Sequence, residues 1–325
     1  MRAVVYEKFG EPENVLTIEE RPIPEPGPGE VRLALMLSPV HHHDLAIVRG
    51  LYGYKPALPA IPGTEALARV DALGPGVSHL AVGDRVAVYK DQFVWAEYFL
   101  APAQTAIALP DAVPDEIAAQ VCILPATVHV LLEDLGLHRG QWLAINAANG
   151  AVGRLVNFLA RQRGLRVLNL VRSSASVAAL NELGFSPALD TESEGWLDRV
   201  EALTHGAPIT RAIDQIGGRA IGDELALLTK GGELISMGNL AGEPMQLNTG
   251  TLIFKEALLK GYWARRRLES LSTAEFVRLL SDSIELTTRG EVPIGIEATY
   301  PLESAAEAAV ATEARGRNGK IALRV

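Results

Sequence analysis

The chain has 325 residues, 48% of them hydrophobic and 21% charged, so it can bury a sizeable core and reads as an ordinary globular protein. Its net charge of −9 argues against nucleic acid and anionic membrane surfaces as partners. A lone cysteine, Cys122, excludes an internal disulfide and any site built from several thiolates, and fits a reducing compartment. The start, "MRAVVYEKFGEPENVL", carries charges within its first eight residues and no apolar leader core. No run of eighteen apolar residues follows, so a cytoplasmic location is expected.

The first third reads as β structure. "RAVVYE", "VLTIEE", "EVRLALMLS", "EALARVDALG", "DRVAVY" and "WAEYFLA" are short alternating or β-branched runs separated by Pro/Gly clusters. "EIAAQVCILPATVHVLLEDLG" then takes up helical spacing, with a break expected at Pro125. From Trp142 strands ("WLAIN", "RVLNLV", "PALD", "RAIDQIG", "ELISMG") alternate with helices ("AVGRLVNFLARQRG", "SVAALNELG", "WLDRVEALTHG", "IGDELALLTKGG"). Such alternation implies an α/β fold with a parallel sheet covered on both faces. A helix over "TAEFVRLLSDSIELTTRG", a strand near "EATY", a helix over "LESAAEAAVATEARG" and a strand over "GKIALRV" complete the chain. This tail continues neither the βα rhythm nor a core of its own, so it is expected to return to the amino-terminal β domain.

The most informative segment is "WLAINAANGAVGRLV", where a strand runs through Ala148-x-Gly150-x-x-Gly153 into a helix. Dinucleotide binding needs glycine where the backbone approaches a pyrophosphate and where helix packs on strand, and the helix amino terminus adds partial positive charge. Ala148 stands in place of the first glycine. Nineteen residues after Gly153, where an NAD enzyme would present a carboxylate, the second strand ends in Arg172, Ser173 and Ser174. An arginine with two hydroxyls suits a 2′-phosphate, so NADPH is favoured over NADH.

With these residues in place, the chain resembles the zinc-free branches of the medium-chain dehydrogenase/reductase superfamily, the 2-enoyl thioester reductases and the quinone oxidoreductases. "GLYGYKPALPAIPGTEA", "NAANGAVG", "GGELISMG" and "TLIFKEALLKGYW" carry the likeness, which runs end to end. It implies a GroES-like β domain over 1–122, a Rossmann NADPH-binding domain over 123–264, and a return to the first domain over 265–325. It also implies a homodimer joined through the Rossmann domains, with "ELISMG" and "EPMQLNTGTLIF" at the sheet edge.

The run "HHH" at His41, His42 and His43 raises the question of a metal. The resemblance places the first ligand of zinc-dependent members at His41, the second at Thr64 of Gly63-Thr64-Glu65, and the third near Ile123. Zinc wants three protein ligands and a water, so no metal is expected. A cluster of His41, His43 and Glu65 is the one conceivable alternative.

Without a Lewis acid, reduction of a conjugated carbonyl needs a proton donor, and Tyr52 matches the tyrosine that enoyl thioester reductases use. Tyr54 competes for that role. The resemblance further implies cofactor contacts at His41, Thr127, Asn149, Gly150, Ala151, Val152 and Gly153, at Met237, Gly238, Asn239 and Leu240, and at Tyr262, Trp263 and Lys320. Leu124 replaces an asparagine of the enoyl reductases, which removes one polar contact. The implied activity is NADPH-dependent reduction of a 2-enoyl thioester, with an enone or quinone as alternative substrate. A non-catalytic NADPH-binding protein is the reading from another class, separated from the first by turnover.

Overall fold

In the computed structural model, which describes residues 1–89, 93–288, 294–314 and 316–325, the amino-terminal runs become strands β1 (Arg2–Val5), β2 (Thr17–Glu20), β3 (Glu30–Pro39), β4 (Glu65–Leu73), β5 (Arg85–Tyr89), β6 (Tyr98–Pro102) and β7 (Ala106–Ala108). The middle supplies β8 (Trp142–Ile145), β9 (Arg166–Val171), β10 (Ala188–Asp190), β11 (Ile209–Asp214), β12 (Glu233–Ser236) and β13 (Leu258–Gly261). The tail supplies β14 (Ile296–Pro301) and β15 (Lys320–Arg324). The chain divides into two units, Met1–Pro125 with Arg278–Val325, and Ala126–Val277.

In the first unit β3 is the axis. Its side chains alternate, sending Val31, Leu33 and Leu35 into a core shared with Tyr6, Val70 and Trp95. One side of β3 pairs antiparallel with β4. The other pairs with β6 along residues 30–34 and with β15 along 37–39. The sheet order is β14-β15-β3-β4-β5-β7, and only β14 and β15 run parallel. Beyond β3, the Val40 N–H donates to the Ile321 carbonyl at 2.8 Å, which sets the start of the tail strand beside His41.

A short helix, His42–Val48, follows and ends where Gly50 turns left-handed at φ 69°. The Leu51 and Tyr52 N–H groups both return to the Ala46 carbonyl. Pro125 does not break the next helix, Ile123–Asp134, because it stands in the first turn, where its missing N–H has no intrahelical acceptor to lose.

The second unit is a parallel sheet in the order β10-β9-β8-β11-β12-β13. The order reverses between β8 and β11, and open α/β sheets bind their ligands outside the strand carboxyl ends at such a reversal. Two expectations change here. β12 is not the edge, since β13 pairs with it on one side and β11 on the other. The edge strand β13, "LLKG", lacks β-branched residues and gave no strand signal. Residues 265–277, grouped from the sequence with the tail, fall in the second unit, where Arg267 bonds Asp134 at 3.1 Å. Arg289, Gly290 and Arg315, which close two expected helices, lie outside the described residues. Among the described residues no helix is long and apolar enough to cross a membrane.

Gly63, just before β4, has φ 91°, and a Cβ there would come within 2.1 Å of Trp95 Cδ1. Both the left-handed backbone and the fully buried indole require glycine. Gly63→Ala is expected to lower the unfolding free energy by about 2–5 kcal/mol in urea titrations. A loss below about 0.5 kcal/mol, the usual reach of a surface change, would show that Trp95 moves aside at little cost.

Candidate functional site

The second unit carries the glycine turn. A Cβ on Gly153 would lie 2.4 Å from both Cα and the carbonyl oxygen of Ala148, so the helix Ala151–Gln162 can pack this close to the turn only with glycine there. Gly150 caps the helix, and the N–H groups of Ala151, Val152 and Gly153 have no acceptor within it. These three donors and the helix dipole could hold an anion. Arg154 Nε braces the turn by donating to the Asn149 carbonyl at 2.9 Å, and Asn149 Nδ2 reaches Ser176 Oγ at 3.5 Å.

At the end of β9, Ser173 Oγ accepts the Ser176 N–H at 3.2 Å and caps the helix Ser174–Glu182. Arg172 beside it is exposed, and among the described residues no side chain pairs with its guanidinium.

The carboxyl ends of β8, β11 and β12 are tied by a buried network that escaped the sequence reading. Asp214 accepts hydrogen bonds from Asn146 Nδ2 at 2.6 Å, from the Gly217 N–H at 2.9 Å and from Ser236 Oγ at 3.0 Å. Gln215 donates its N–H to Asn146 Oδ1 and its Nε2 to the Asn146 carbonyl, both at 2.7 Å. Burial, then the Asp214 charge, pushes the Glu224 carboxyl well above its usual range, and its Oε2 accepts from Asn146 Nδ2 at 3.2 Å. The signal was "DQIGG" at a strand end, an aspartate followed by glycines that let backbone N–H groups turn back onto it.

On this base sits the loop Met237–Leu240. A Cβ on Gly238 would meet the Gln215 carbonyl oxygen at 2.4 Å, and the Leu240 N–H donates to that carbonyl at 3.2 Å. Tyr262 donates its hydroxyl to Asp134 at 3.0 Å, and burial together with that carboxylate raises its pKa. The ring of Trp263 carries the Arg266 guanidinium at 5.5 Å. Thr127 is buried within the helix Ile123–Asp134.

The first unit brings together the histidines and two carboxylates. His41 is the residue before the helix His42–Val48, and its N–H donates to Asp44 Oδ2 at 2.9 Å. Thr64 Oγ1 donates to Asp44 Oδ1 at 2.8 Å, and having spent its only proton it accepts from His43 Nε2 at 2.7 Å. The rings of His41 and His43 stack with centroids 4.8 Å apart and planes at 16°, and Tyr52, half-buried, tilts against His43 at 5.9 Å.

Glu65 opens β4, and its Oε1 accepts the N–H groups of Cys122 and Ile123 at 2.7 and 2.8 Å. Its Oε2 meets His41 Nε2 at 2.8 Å, and His41 Nδ1 meets Lys320 Nζ at 2.6 Å. His41 and Glu65 are 2% and 1% exposed, so water does not share these bonds. Burial drives the His41 pKa well below its ordinary value, raises that of Glu65 and lowers that of Lys320.

Of the residues expected to contact cofactor, those of the glycine turn, Arg172 to Ser174 and the Met237–Leu240 loop stand at strand carboxyl ends of one sheet. Tyr262, Trp263 and Thr127 belong to the same unit. His41 and Lys320 are hydrogen-bonded to each other in the first unit, where a direct bond from His41 to a cofactor would cost it Glu65 or Lys320. Sequence reasoning passed over Asp44, and it saw Glu65 only as a conceivable metal ligand.

The comparisons agree with this architecture. The model for the alcohol dehydrogenase GroES-like domain matches residues 27–111, and the zinc-binding dehydrogenase model matches residues 151–282. The mitochondrial enoyl-[acyl-carrier-protein] reductase of Xenopus tropicalis is 30% identical over 312 residues, covering 93% of this chain and 89% of the relative. A quinone oxidoreductase of Pseudomonas syringae superposes with TM-score 0.88 at 26% identity, over 100% of this chain and 99% of its own. A mycobacterial protein solved with NADPH does so with TM-score 0.87 at 27% identity, over 100% of both chains. The chain belongs to the medium-chain dehydrogenase/reductase superfamily.

The zinc named by one of these models does not fit the donor set. Zinc requires three or four N, O or S donors converging at about 2.0–2.3 Å. Both ring nitrogens of His41 and both oxygens of Glu65 are already engaged, Thr64 stands where a second ligand would be, and burial holds the Cys122 thiol protonated. Among the described residues no group of three or more His, Cys, Asp and Glu side chains could hold a metal ion.

Proposed function

We propose that the protein is an NADPH-dependent reductase of conjugated carbonyl compounds, acting on 2-enoyl thioesters. The full-length similarity to an enoyl-[acyl-carrier-protein] reductase supports this substrate class, and the similarity to a quinone oxidoreductase supports quinones as a second one. The observation that carries the reading is Tyr52, a phenol beside His43, whose ring Thr64 and Asp44 fix in place, in a unit whose donors do not suit zinc.

The residues of the second unit suit NADPH. The N–H groups of Ala151, Val152 and Gly153 would hold the pyrophosphate, and Arg172 with Ser173 and Ser174 the 2′-phosphate. NADPH, when bound, supplies a hydride, which an enoyl thioester takes at its β carbon. The substrate's enolate then needs a proton at its α carbon. Tyr52 holds one, because an ordinary phenol, with a pKa near about 10, is protonated at neutral pH. Asp44, through Thr64, leaves His43 donating at Nε2.

The assembly proposed is a twofold dimer through β13. This strand pairs only with β12 among the described residues, and Leu258 and Phe254 at that edge are 61% and 82% exposed. An apolar sheet edge of this kind invites a second copy. A cytoplasmic location is proposed with it.

Three measurements test these readings. Arg172→Ala should raise the KM for NADPH about ten- to a hundredfold more than that for NADH, the worth of a charge-assisted contact. An equal effect on both cofactors contradicts the assignment. Tyr52→Phe should lower turnover of a crotonyl thioester by about 10²–10⁴-fold while NADPH affinity holds. Quinone reduction should lose far less, since oxygen takes its proton from solvent, and intact enoyl turnover would reduce Tyr52 to a loop anchor. Light scattering at micromolar concentration should give twice the chain mass, and a monomer would remove the β13 interface.

A further inference from the structure

The second unit holds a cavity at the end of its sheet away from the glycine turn. It measures about 380 Å³, and Trp142, Arg161, Arg166, Phe185, Leu203 and His205 are among its walls. β8 begins at Trp142, β9 at Arg166, and β10 just after Pro187, which also lines the space. The cavity therefore lies at the amino ends of these strands, whereas the glycine turn, Arg172 and the Met237–Leu240 loop follow their carboxyl ends. Sites for small molecules have volumes of about 300–1,000 Å³, so there is room here for a compact one.

The wall is rich in donors and poor in acceptors. In a chain of net charge −9, no Asp or Glu among the described residues lines the cavity, and neither Arg161 nor Arg166 has a hydrogen bond or ion pair there. The Arg166 guanidinium stands over the Trp142 ring, 5.7 Å from its centroid, and the Arg161 guanidinium lies beside Gly184, 3.6 Å from where a Cβ would be. Trp142 is 4% exposed, and its Nε1–H is buried without an acceptor. Three helices, Ala151–Gln162, Ser174–Glu182 and Val200–Thr204, end at this face, and a cation near a helix end is favoured. That does not engage the arginines. The N–H groups of Leu165, Phe185 and Gly206 close the last turns by donating to the Ala160, Leu180 and Glu201 carbonyls at 2.9, 2.8 and 2.8 Å. The wall is also held in place. The buried amides of Asn157 and Asn169 exchange hydrogen bonds at 2.6 and 3.0 Å, and Asn169 Nδ2 reaches the Pro187 carbonyl at 3.2 Å.

We propose that this cavity is a second ligand site, separate from the cofactor's, and that it takes a small organic phosphate monoester. The phosphate lies between Arg161 and Arg166, and the apolar body of the ligand lies against Phe185 and Leu203. Guanidinium forks match phosphate oxygens, and two of them balance a dianion, whereas a monocarboxylate would leave one charge unmet. Like charges on one cavity repel, and an anion between them relieves that repulsion. His205 adds a ring nitrogen to the same wall. No bond is made or broken, and the site does not depend on which carbonyl compound the protein reduces.

Calorimetry on the NADPH-saturated protein, with phenyl phosphate as the probe, tests it. One site per chain is expected. Inorganic phosphate, which lacks the ring, should bind about tenfold more weakly. Arg161→Gln combined with Arg166→Gln should weaken phenyl phosphate at least about a hundredfold, since each charge-assisted contact is worth roughly ten- to a hundredfold. Both arginines are exposed, so the double variant should fold and keep its NADPH affinity. Arg172→Ala, again saturated with NADPH, should bind phenyl phosphate as the wild type does. In nitrogen-15 spectra of the wild type, the Trp142 indole signal, assigned with Trp142→Phe, should move as phenyl phosphate is added. Binding that Arg172→Ala abolishes and the double variant keeps would put the probe at the cofactor's own phosphate site and overturn the proposal. No binding at millimolar phenyl phosphate, equal affinity for inorganic phosphate, or a Trp142 signal that stays in place would overturn it as well.

Discussion

The carboxylate of Glu65 is the constraint on which the first unit depends. A buried carboxylate is costly unless it is hydrogen-bonded, and the fold brings the partners of Glu65 from two distant stretches of chain, with a third behind them. The Cys122 and Ile123 N–H groups arrive at a helix start, His41 arrives at the end of β3, and behind His41 stands Lys320 from a strand almost 280 residues later. The pairing of β15 with β3 is what delivers that lysine. Gly63 is needed one step earlier, because the chain must turn beside Trp95 before it can present Thr64 and Glu65. A change to either carboxylate in this cluster therefore unsettles several stretches of chain at once.

The second unit solves a different problem with the same economy of donors. The groups proposed to bind the pyrophosphate are backbone N–H vectors at the ends of parallel strands, and these must be held still to be of use. Asp214 does this by gathering Asn146, Gly217 and Ser236, one from each of three neighbouring strand ends. Gly153 and Gly238 then let a helix and a loop approach closer than any side chain would allow.

Much of this was legible in the sequence. Strand–glycine–helix alternation announced the parallel sheet that the second unit forms. β13 was missed because "LLKG" is too short and too plain to show a period, and its strand character comes from pairing with β12. Pro125 misled because a proline's effect depends on its place in the helix, and the place was fixed by Glu65, sixty residues earlier. The partners of the histidine run were hidden for a similar reason. A row of imidazoles suggests a metal or a cofactor contact, whereas the structure divides them, His41 into the chain between Lys320 and Glu65 and His43 onto Thr64. Spacing along a chain does not reveal which partner a buried polar group will find across it.

The reading proposed above makes Tyr52 the proton donor of a reductase that needs no metal. A crystal structure with NADPH and an unreactive thioester analogue tests it most directly. The expected result is no metal, His41 still bonded to Glu65, and the analogue's α carbon within about 3.5 Å of the Tyr52 hydroxyl. A metal ion on His41, or an α carbon out of reach of Tyr52, would contradict it.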